Sequence, residues 1–309
     1  MRKEIMGVTF DDVTLEEAVA AGEALAAGPG FSYVVTPNPE IVAMARQTET
    51  YREILNGAGL VLPDGIGVVH AAKILGTPLK GRVPGIDFAS ALVEAGGFHY
   101  AVTPNPEFLL AAKHNPAFRQ ALLGADLVLA DGVGVVYSAK ILGRPLKGKV
   151  PGIDFAQRLL AWMARHGKRL FLLGAKPGVA EQAGENLKKR YPDLLLCGTH
   201  DGYFQTDGPV VDQIRAARAD VVFVCLGAPK QERWMAQYGP ETGAHLMVGL
   251  GGVLDVYAGH VKRAPEIWQK LGLEWCYRLL HQPSRLGRMA KLPLFLLEAA
   301  REKGKRGKP

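Results

Sequence analysis

The sequence predicts an α/β protein: a Rossmann-like, mostly parallel sheet flanked by helices, with a helical C-terminal appendage. Three observations predict it. Short apolar runs ending in Gly, Pro or Asp alternate with longer stretches of helical period, the pattern of a parallel sheet covered on both faces. The turn residues fall where each apolar run stops, so the strands deliver their ends into Gly- and Asp-bearing loops. Of the 309 residues, 48% are hydrophobic and 22% charged, enough to bury a sizeable core and too apolar for a disordered chain.

The elements follow in order. Residues 4–8 read as a first strand and 15–27 as a helix, opened by a capping box between Thr14 and Glu17. A strand over 31–35 runs into Thr36-Pro37-Asn38-Pro39-Glu40. There the prolines stop the strand, Asn38 suits a helix cap, Pro39 the first helical position and Glu40 the first turn. A strand over 59–62 then delivers Pro63-Asp64-Gly65, and Val83-Pro84-Gly85 opens another helix.

The features from Thr36 onward recur farther on at a constant offset, 103 − 36 = 67 residues. Thr36 maps to Thr103, Asn38 to Asn105, Glu40 to Glu107, Asp64 to Asp131 and Gly65 to Gly132. Val83-Pro84-Gly85 maps to Val150-Pro151-Gly152. Counted from Tyr33 and Tyr100, roughly 60% of aligned positions are identical without a gap, which reads as an internal duplication of 33–99 as 100–166. Two units of this length are too few for a solenoid, so both copies are expected to join one sheet or to compete for one place in it.

The remainder is single-copy. It holds a strand over 170–173 before Gly174, a helix over 179–189, a strand over 221–226 before Gly227-Ala228-Pro229-Lys230-Gln231-Glu232, and a strand over 246–250 before Gly251-Gly252. Residues 1–264 are therefore read as one α/β domain and 265–309 as a basic helical appendage.

The net charge of +7 gathers at the end of the chain, in Arg278, Arg285, Arg288, Lys291, Arg301, Lys303, Lys305, Arg306 and Lys308. Such an excess suits an acidic partner. Leu292-Pro293-Leu294-Phe295-Leu296-Leu297 lies among these bases and no aromatic ladder accompanies them, which favours an anionic membrane surface over nucleic acid. Three scattered cysteines indicate neither a disulfide framework nor a zinc site. With no signal-peptide core and no run of ~18 apolar residues, the expected location is cytoplasmic, peripheral at the inner face of the membrane.

In open α/β sheets ligands bind beyond the carboxyl ends of the strands, and one pocket there can gather Thr-Pro-Asn-Pro-Glu, Asp-Gly and the Gly-rich corners. Glycines let backbone N–H groups approach a phosphate, and a helix starting near Pro229 presents its positive dipole end, so a diphosphate fits. Taken singly, each of these corners is also an ordinary turn or solvated helix start. The sequence contains no Asp-x-Asp metal pair, no Gly-x-Ser-x-Gly elbow and no phosphate loop ending in Gly-Lys-Ser/Thr.

Together TPNPE, Pro-Asp-Gly-x-Gly-Val-Val, Arg/Lys-Val-Pro-Gly-x-Asp, Gly198-Thr199-His200-Asp201-Gly202-Tyr203-Phe204, Gly227-Ala228-Pro229-Lys230-Gln231-Glu232, Gly251-Gly252-x-x-Asp255 and Lys262-Arg263-Ala264-Pro265 resemble the WecG/TagA/CpsF glycosyltransferases. The resemblance implies an inverting enzyme that uses neither metal nor other cofactor. It would move an N-acetylmannosamine-type sugar from a UDP donor to a polyprenyl-diphosphate-linked N-acetylglucosamine, in teichoic acid or other cell-surface polysaccharide synthesis. It makes the Asp of Asp-Gly the general base and sets the Thr and Asn of TPNPE beside the reacting sugar. Gln231, Glu232 and Asp255 would hold the nucleotide with Gly174, Gly227, Lys230, Gly251 and Gly252, and Arg278, Arg285 and Arg288 would close over the departing UDP.

The repeat is the departure from that pattern. Without one copy the chain would have 309 − 67 = 242 residues, so one copy is surplus. Either Asp64 with Thr36 and Asn38, or Asp131 with Thr103 and Asn105, can supply the corner. The second copy runs without interruption into the single-copy strands, which favours Asp131. Two rivals remain at this level: a UDP-sugar-binding membrane protein that has lost turnover, and a nicotinamide-dependent oxidoreductase, which lacks GxGxxG and the acidic residue that follows it.

Overall fold

The computed structural model describes residues 2–27, 34, 35, 37, 39–47, 49–64, 66–95, 97–142, 150–270, 274–281 and 295. The chain opens with β1 (Arg2–Ile5) and β2 (Val8–Asp11), an antiparallel hairpin rather than the single strand expected over 4–8. Met6 and Gly7 both take positive φ, 55° and 89°, and reverse the chain in two residues, a turn geometry that matches the twist of paired strands. Helix α1 (Leu15–Ala27) follows with its expected capping box: Glu17 N donates to Thr14 Oγ1 at 3.3 Å and Thr14 N to Glu17 Oε2 at 2.8 Å.

The first copy then forms β3 (Val34–Val35), α2 (Pro39–Gln47), α3 (Glu49–Asn56), β4 (Leu60–Val61), α4 (Ile66–Ile74) and α5 (Gly85–Ala95). The second forms β5 (His99–Val102), α6 (Pro106–His114), α7 (Pro116–Leu123), β6 (Leu127–Val128), α8 (Val133–Ile141) and α9 (Gly152–Arg165). Element for element, α2, β4, α4 and α5 begin 67 residues before α6, β6, α8 and α9 (106 − 39, 127 − 60, 133 − 66, 152 − 85). The two segments fold alike.

The rest comprises β7 (Arg169–Gly174), α10 (Val179–Arg190), β8 (Leu195–His200), α11 (Gly208–Ala217), β9 (Val221–Cys225), α12 (Lys230–Tyr238), a 3-10 turn (Gly239–Thr242), β10 (Leu246–Gly249), α13 (Val253–Tyr257), α14 (Glu266–Lys270) and α15 (Glu274–His281). Strand β8 was not expected from the sequence. A six-stranded, wholly parallel sheet has the order β6-β5-β10-β9-β7-β8.

Alternation along these strands feeds two cores, as period-2 side chains must. Leu170, Leu172, Val221, Phe223, Leu246 and Val248 face one layer, packed under α5, α9, α10 and α13. Phe171, Leu173, Val222, Val224, Met247 and Val102 face the other, under α6, α7, α11 and α12.

The copies do not share that sheet. Strands β3 and β4 pair only with each other among the described residues, and the hairpin packs over them. Asp11 Oδ2 accepts from Val61 N at 2.8 Å, and Arg2 Nη2 donates to the carbonyls of Ala58 and Gly59 at 2.8 Å each. Ile5, Val8, Phe10, Val42, Leu55 and Val61 make a separate small core.

Helix α5 joins the two parts. Its Phe88 and Leu92 pack with Val19 of α1 and Leu62, while its Ala89 and Val93 lie in the large core beside α9. At the offset of 67, α1 corresponds to residues 82–94, so α5 both closes the first copy and opens the second.

Of the appendage, α14 and α15 are described, with the Trp268 and Tyr277 rings 5.8 Å apart. Arg285, Arg288 and most of the basic, leucine-rich stretch lie outside the described residues. No helix among the described residues is long and apolar enough to cross a membrane.

Candidate active site at the strand ends

The carboxyl ends of the parallel strands converge around the second copy. Thr103 follows β5, is 5% exposed, and donates its hydroxyl to the Gly249 carbonyl at the end of β10, 2.8 Å away. That bond ties TPNPE to the single-copy half. Asn105 caps α6 as expected: its Oδ1 accepts from Glu107 N at 2.9 Å and Phe108 N at 3.2 Å, and Pro106 takes the first helical position.

Asp131 lies in the short loop between β6 and α8, half-buried, with its backbone N donating to Pro104 O at 3.0 Å. Gly132 takes φ 98° to start α8. Asp131 thus stands beside the Thr103-Pro104-Asn105 corner. Val150 N donates to Ala130 O at 2.7 Å, which brings the Val-Pro-Gly turn to the same corner. A Cβ on Gly152 would lie 3.1 Å from Thr103 Cγ2 and 3.2 Å from Leu250 Cδ2, so the start of α9 is packed against both.

At the end of β10, Gly251 has φ 56° and donates its N–H to Gln231 Oε1 at 3.0 Å. Asp255 sits half-buried in the first turn of α13. After β9, Gly227 (φ 75°) leads through Pro229 into α12. Lys230 turns toward the loop after β8: its Nζ donates to Gly202 O at 3.1 Å and lies 4.2 Å from the Phe204 ring centre. Gln231 and Glu232 are fully buried beneath these loops. Desolvation pushes the Glu232 carboxyl up to about 7, against the opposing hydrogen bond from Gln231.

Gly174 is held by packing: a Cβ there would lie 2.4 Å from the carbonyl carbon and oxygen of Cys225, so only glycine lets β7 and β9 end side by side. Burial pushes the adjacent Cys225 thiol up to about 12, which leaves it no thiolate at neutral pH.

The first copy repeats the corner locally. Asp64 N donates to Pro37 O at 3.0 Å, Leu62 N to Val35 O at 2.8 Å and Val83 N to Pro63 O at 2.8 Å, each matched 67 residues on by Asp131, Leu129 and Val150. Thr36 and Asn38 lie outside the described residues. Asp64 sits at the end of the two-stranded sheet, whereas Asp131 sits at the end of the sheet that carries Gly227, Gln231 and Gly251. Arg278 lies on α15.

One connection escaped the sequence reading. Arg263 Nη2 pairs with Asp154 Oδ1 at 2.6 Å, pinning the first turn of α9 to the segment after α13. Both residues belong to motifs singled out above, Val-Pro-Gly-x-Asp and Lys-Arg-Ala-Pro, and a charge pair between two such motifs is the signal that would have found it.

The model of the glycosyl transferase WecG/TagA/CpsF family matches residues 3–98 and again 89–309. An N-acetylglucosaminyldiphosphoundecaprenol N-acetyl-beta-D-mannosaminyltransferase of Bacillus spizizenii strain W23 is 38% identical over 210 residues, 68% of this chain and 82% of the relative. The protein of the same name from Staphylococcus aureus strain MW2 is 37% identical over 207 residues, 67% of this chain and 81% of its own length.

Proposed function

Because this chain belongs to the glycosyl transferase WecG/TagA/CpsF family, we propose that it transfers N-acetylmannosamine from UDP to undecaprenyl-diphosphate-linked N-acetylglucosamine, with Asp131 as the general base. It is a glycosyltransferase, and relatives that bear the N-acetylmannosaminyltransferase name cover two thirds of it. The nicotinamide reading falls with that membership.

The observation that carries the choice of Asp131 is the Thr103 to Gly249 hydrogen bond. It fixes the second copy's corner against the strand whose loop bears Gly251 and Gly252, which supports reading Asp131 and that turn as parts of one pocket at the strand ends.

The chemistry follows from those positions. A sugar hydroxyl is a weak nucleophile until a carboxylate accepts its proton as the new bond forms. Asp131 takes that proton, the acceptor oxygen bonds to the anomeric carbon of N-acetylmannosamine, and the bond to the UDP phosphate oxygen breaks on the opposite face, inverting the centre. Asn105 spends its carbonyl on the α6 cap, so its amide end is the part that addresses a sugar. Charge on the departing UDP is met by the backbone N–H of Gly252 and by Arg278, Arg285 and Arg288, with no metal or cofactor in the scheme. The basic appendage sits on the anionic inner face of the membrane, where the lipid acceptor resides.

The test is conversion of UDP-N-acetylmannosamine and a short-chain lipid-diphosphate N-acetylglucosamine to disaccharide, followed by UDP release. Turnover lost in Asp131→Asn with UDP binding kept is the expected result. Turnover kept in Asp131→Asn and lost in Asp64→Asn overturns the assignment. Intact UDP binding without any turnover in the parent chain would mark a sugar-nucleotide-binding protein instead.

A further inference from the structure

Gln231 and Glu232 open α12, yet both are 0% exposed, an uncommon place for a carboxyl side chain. Glu232 Oε1 accepts from Gln231 Nε2 at 2.6 Å, and Gln231 Oε1 accepts from Gly251 N at 3.0 Å. Glu232 Oε2 is buried without a hydrogen-bond partner among the described residues. A half-satisfied buried carboxyl costs stability, so a leucine of similar size would pack there more cheaply.

What the carboxyl adds is direction. A glutamine amide can present either its oxygen or its nitrogen, and only the oxygen can accept from the Gly251 N–H. An oxygen acceptor on the other side, at Glu232, admits only the nitrogen. The pair therefore selects one orientation of the Gln231 amide. Gly249 makes room for it: a Cβ there would lie 3.0 Å from Gln231 Nε2 and 2.9 Å from Met235 Cε.

We propose that Glu232 is a positioning residue which, through Gln231, holds the Gly251–Gly252 turn open to the diphosphate of the sugar-nucleotide donor. This rests on the reading of these strand ends as the donor site. The effect of Glu232 passes through the Gln231 amide to the backbone of the turn, whose Gly251 is held at φ 56°.

The experiment uses the full chain with three substitutions, Glu232→Leu, Glu232→Gln and Gln231→Leu, each checked for folding by thermal melt. Hydrogen exchange at the Gly251 amide and calorimetric titration with UDP are the two readouts. Glu232→Leu and Gln231→Leu should each speed Gly251 exchange and weaken UDP binding by roughly tenfold or more, the effect of losing one hydrogen bond to a fixed group. Glu232→Gln keeps an oxygen acceptor and should restore both toward the parent. Unchanged Gly251 exchange in Glu232→Leu overturns the clamp. So does a Glu232→Gln variant as impaired as Glu232→Leu. Faster exchange with unchanged UDP affinity overturns its role in the site. A parent chain that fails to bind UDP, with Gly251 exchange still responding to Glu232→Leu, instead refutes the donor reading and leaves the clamp standing.

Discussion

Two segments of this chain carry TPNPE, Asp-Gly and Val-Pro-Gly at identical spacing and fold into the same local elements, yet their surroundings differ. Around Asp131 the corner closes against β10 and shares a sheet with β9, β7 and β8. Around Asp64 the same corner ends a two-stranded sheet roofed by the β1–β2 hairpin. The strand ahead of it differs accordingly: β5 runs four residues in register with β10, whereas the described part of β3 is two residues paired with β4 alone. Local sequence builds the corner, and the neighbouring strand decides which sheet it joins.

The widest expected difference between the copies is in turnover. Asp131→Asn should cost about 10²- to 10⁴-fold in kcat, the usual worth of a general base. Asp64→Asn should leave kcat within about twofold, since the group lies off the sheet that carries Gly227 and Gly251. Comparable losses in both variants would mean that the two corners work together and would break the comparison.

Next comes the bond that distinguishes the second copy. Thr103→Val keeps the shape of a 5%-exposed side chain but strands the Gly249 carbonyl, which should cost about 1–3 kcal/mol in denaturant unfolding. Donor KM should rise with it, because Gly249 leads into the Gly251 turn. An unaltered midpoint would show that β10 and β5 hold together without that bond.

The sequence made the strand-helix alternation, the Asn105 cap and the Thr14 capping box legible, because each rests on residues adjacent in the chain. It also placed Thr103, Asn105 and Asp131 at strand ends, since apolar runs stop there. The hairpin was missed because Met6-Gly7 interrupts an apolar run with a turn pair outside the usual Asn-Gly or Asp-Gly signals. Strand β8 was missed because residues 195–200 end in Cys-Gly-Thr-His, a poor strand composition that pairing with β7 overrides. The separation of the two copies into two sheets depends on strand partners far apart in sequence, as the Thr103 to Gly249 bond does across 146 residues. No local pattern encodes that choice.

The single-copy half should also reveal itself through pH. Burial raises the Glu232 carboxyl from an ordinary 4.5 to about 7 in the folded chain. Between those values the unfolded chain has released its proton while the folded chain keeps it, so stability falls as pH rises. The contribution is fully present below about 4.5 and is lost as pH passes about 7, on the order of 3 kcal/mol in all. Glu232→Gln cannot ionise and should flatten this slope, gaining stability relative to the parent at pH 8 but not at pH 4.5. A slope that persists in Glu232→Gln would assign it to another group.

The largest change should have only a modest effect. Removing residues 33–99 joins α1 directly to the second copy, and α1 corresponds in offset to α5, the helix that opens that copy. Gly22 and Ala26 would then stand where Ala89 and Val93 fill the large core, a loss of a few methyl groups worth about 1–3 kcal/mol. The truncated chain of 309 − 67 = 242 residues should fold and keep turnover within about tenfold, because every residue assigned to the site remains. Removing 100–166 instead offers β3 the edge of β10, and the general base should pass to Asp64, detectable as a new sensitivity to Asp64→Asn. If the first deletion abolished turnover while the chain stayed folded, the first copy would be part of the active site and not a second body held on its rim by α5.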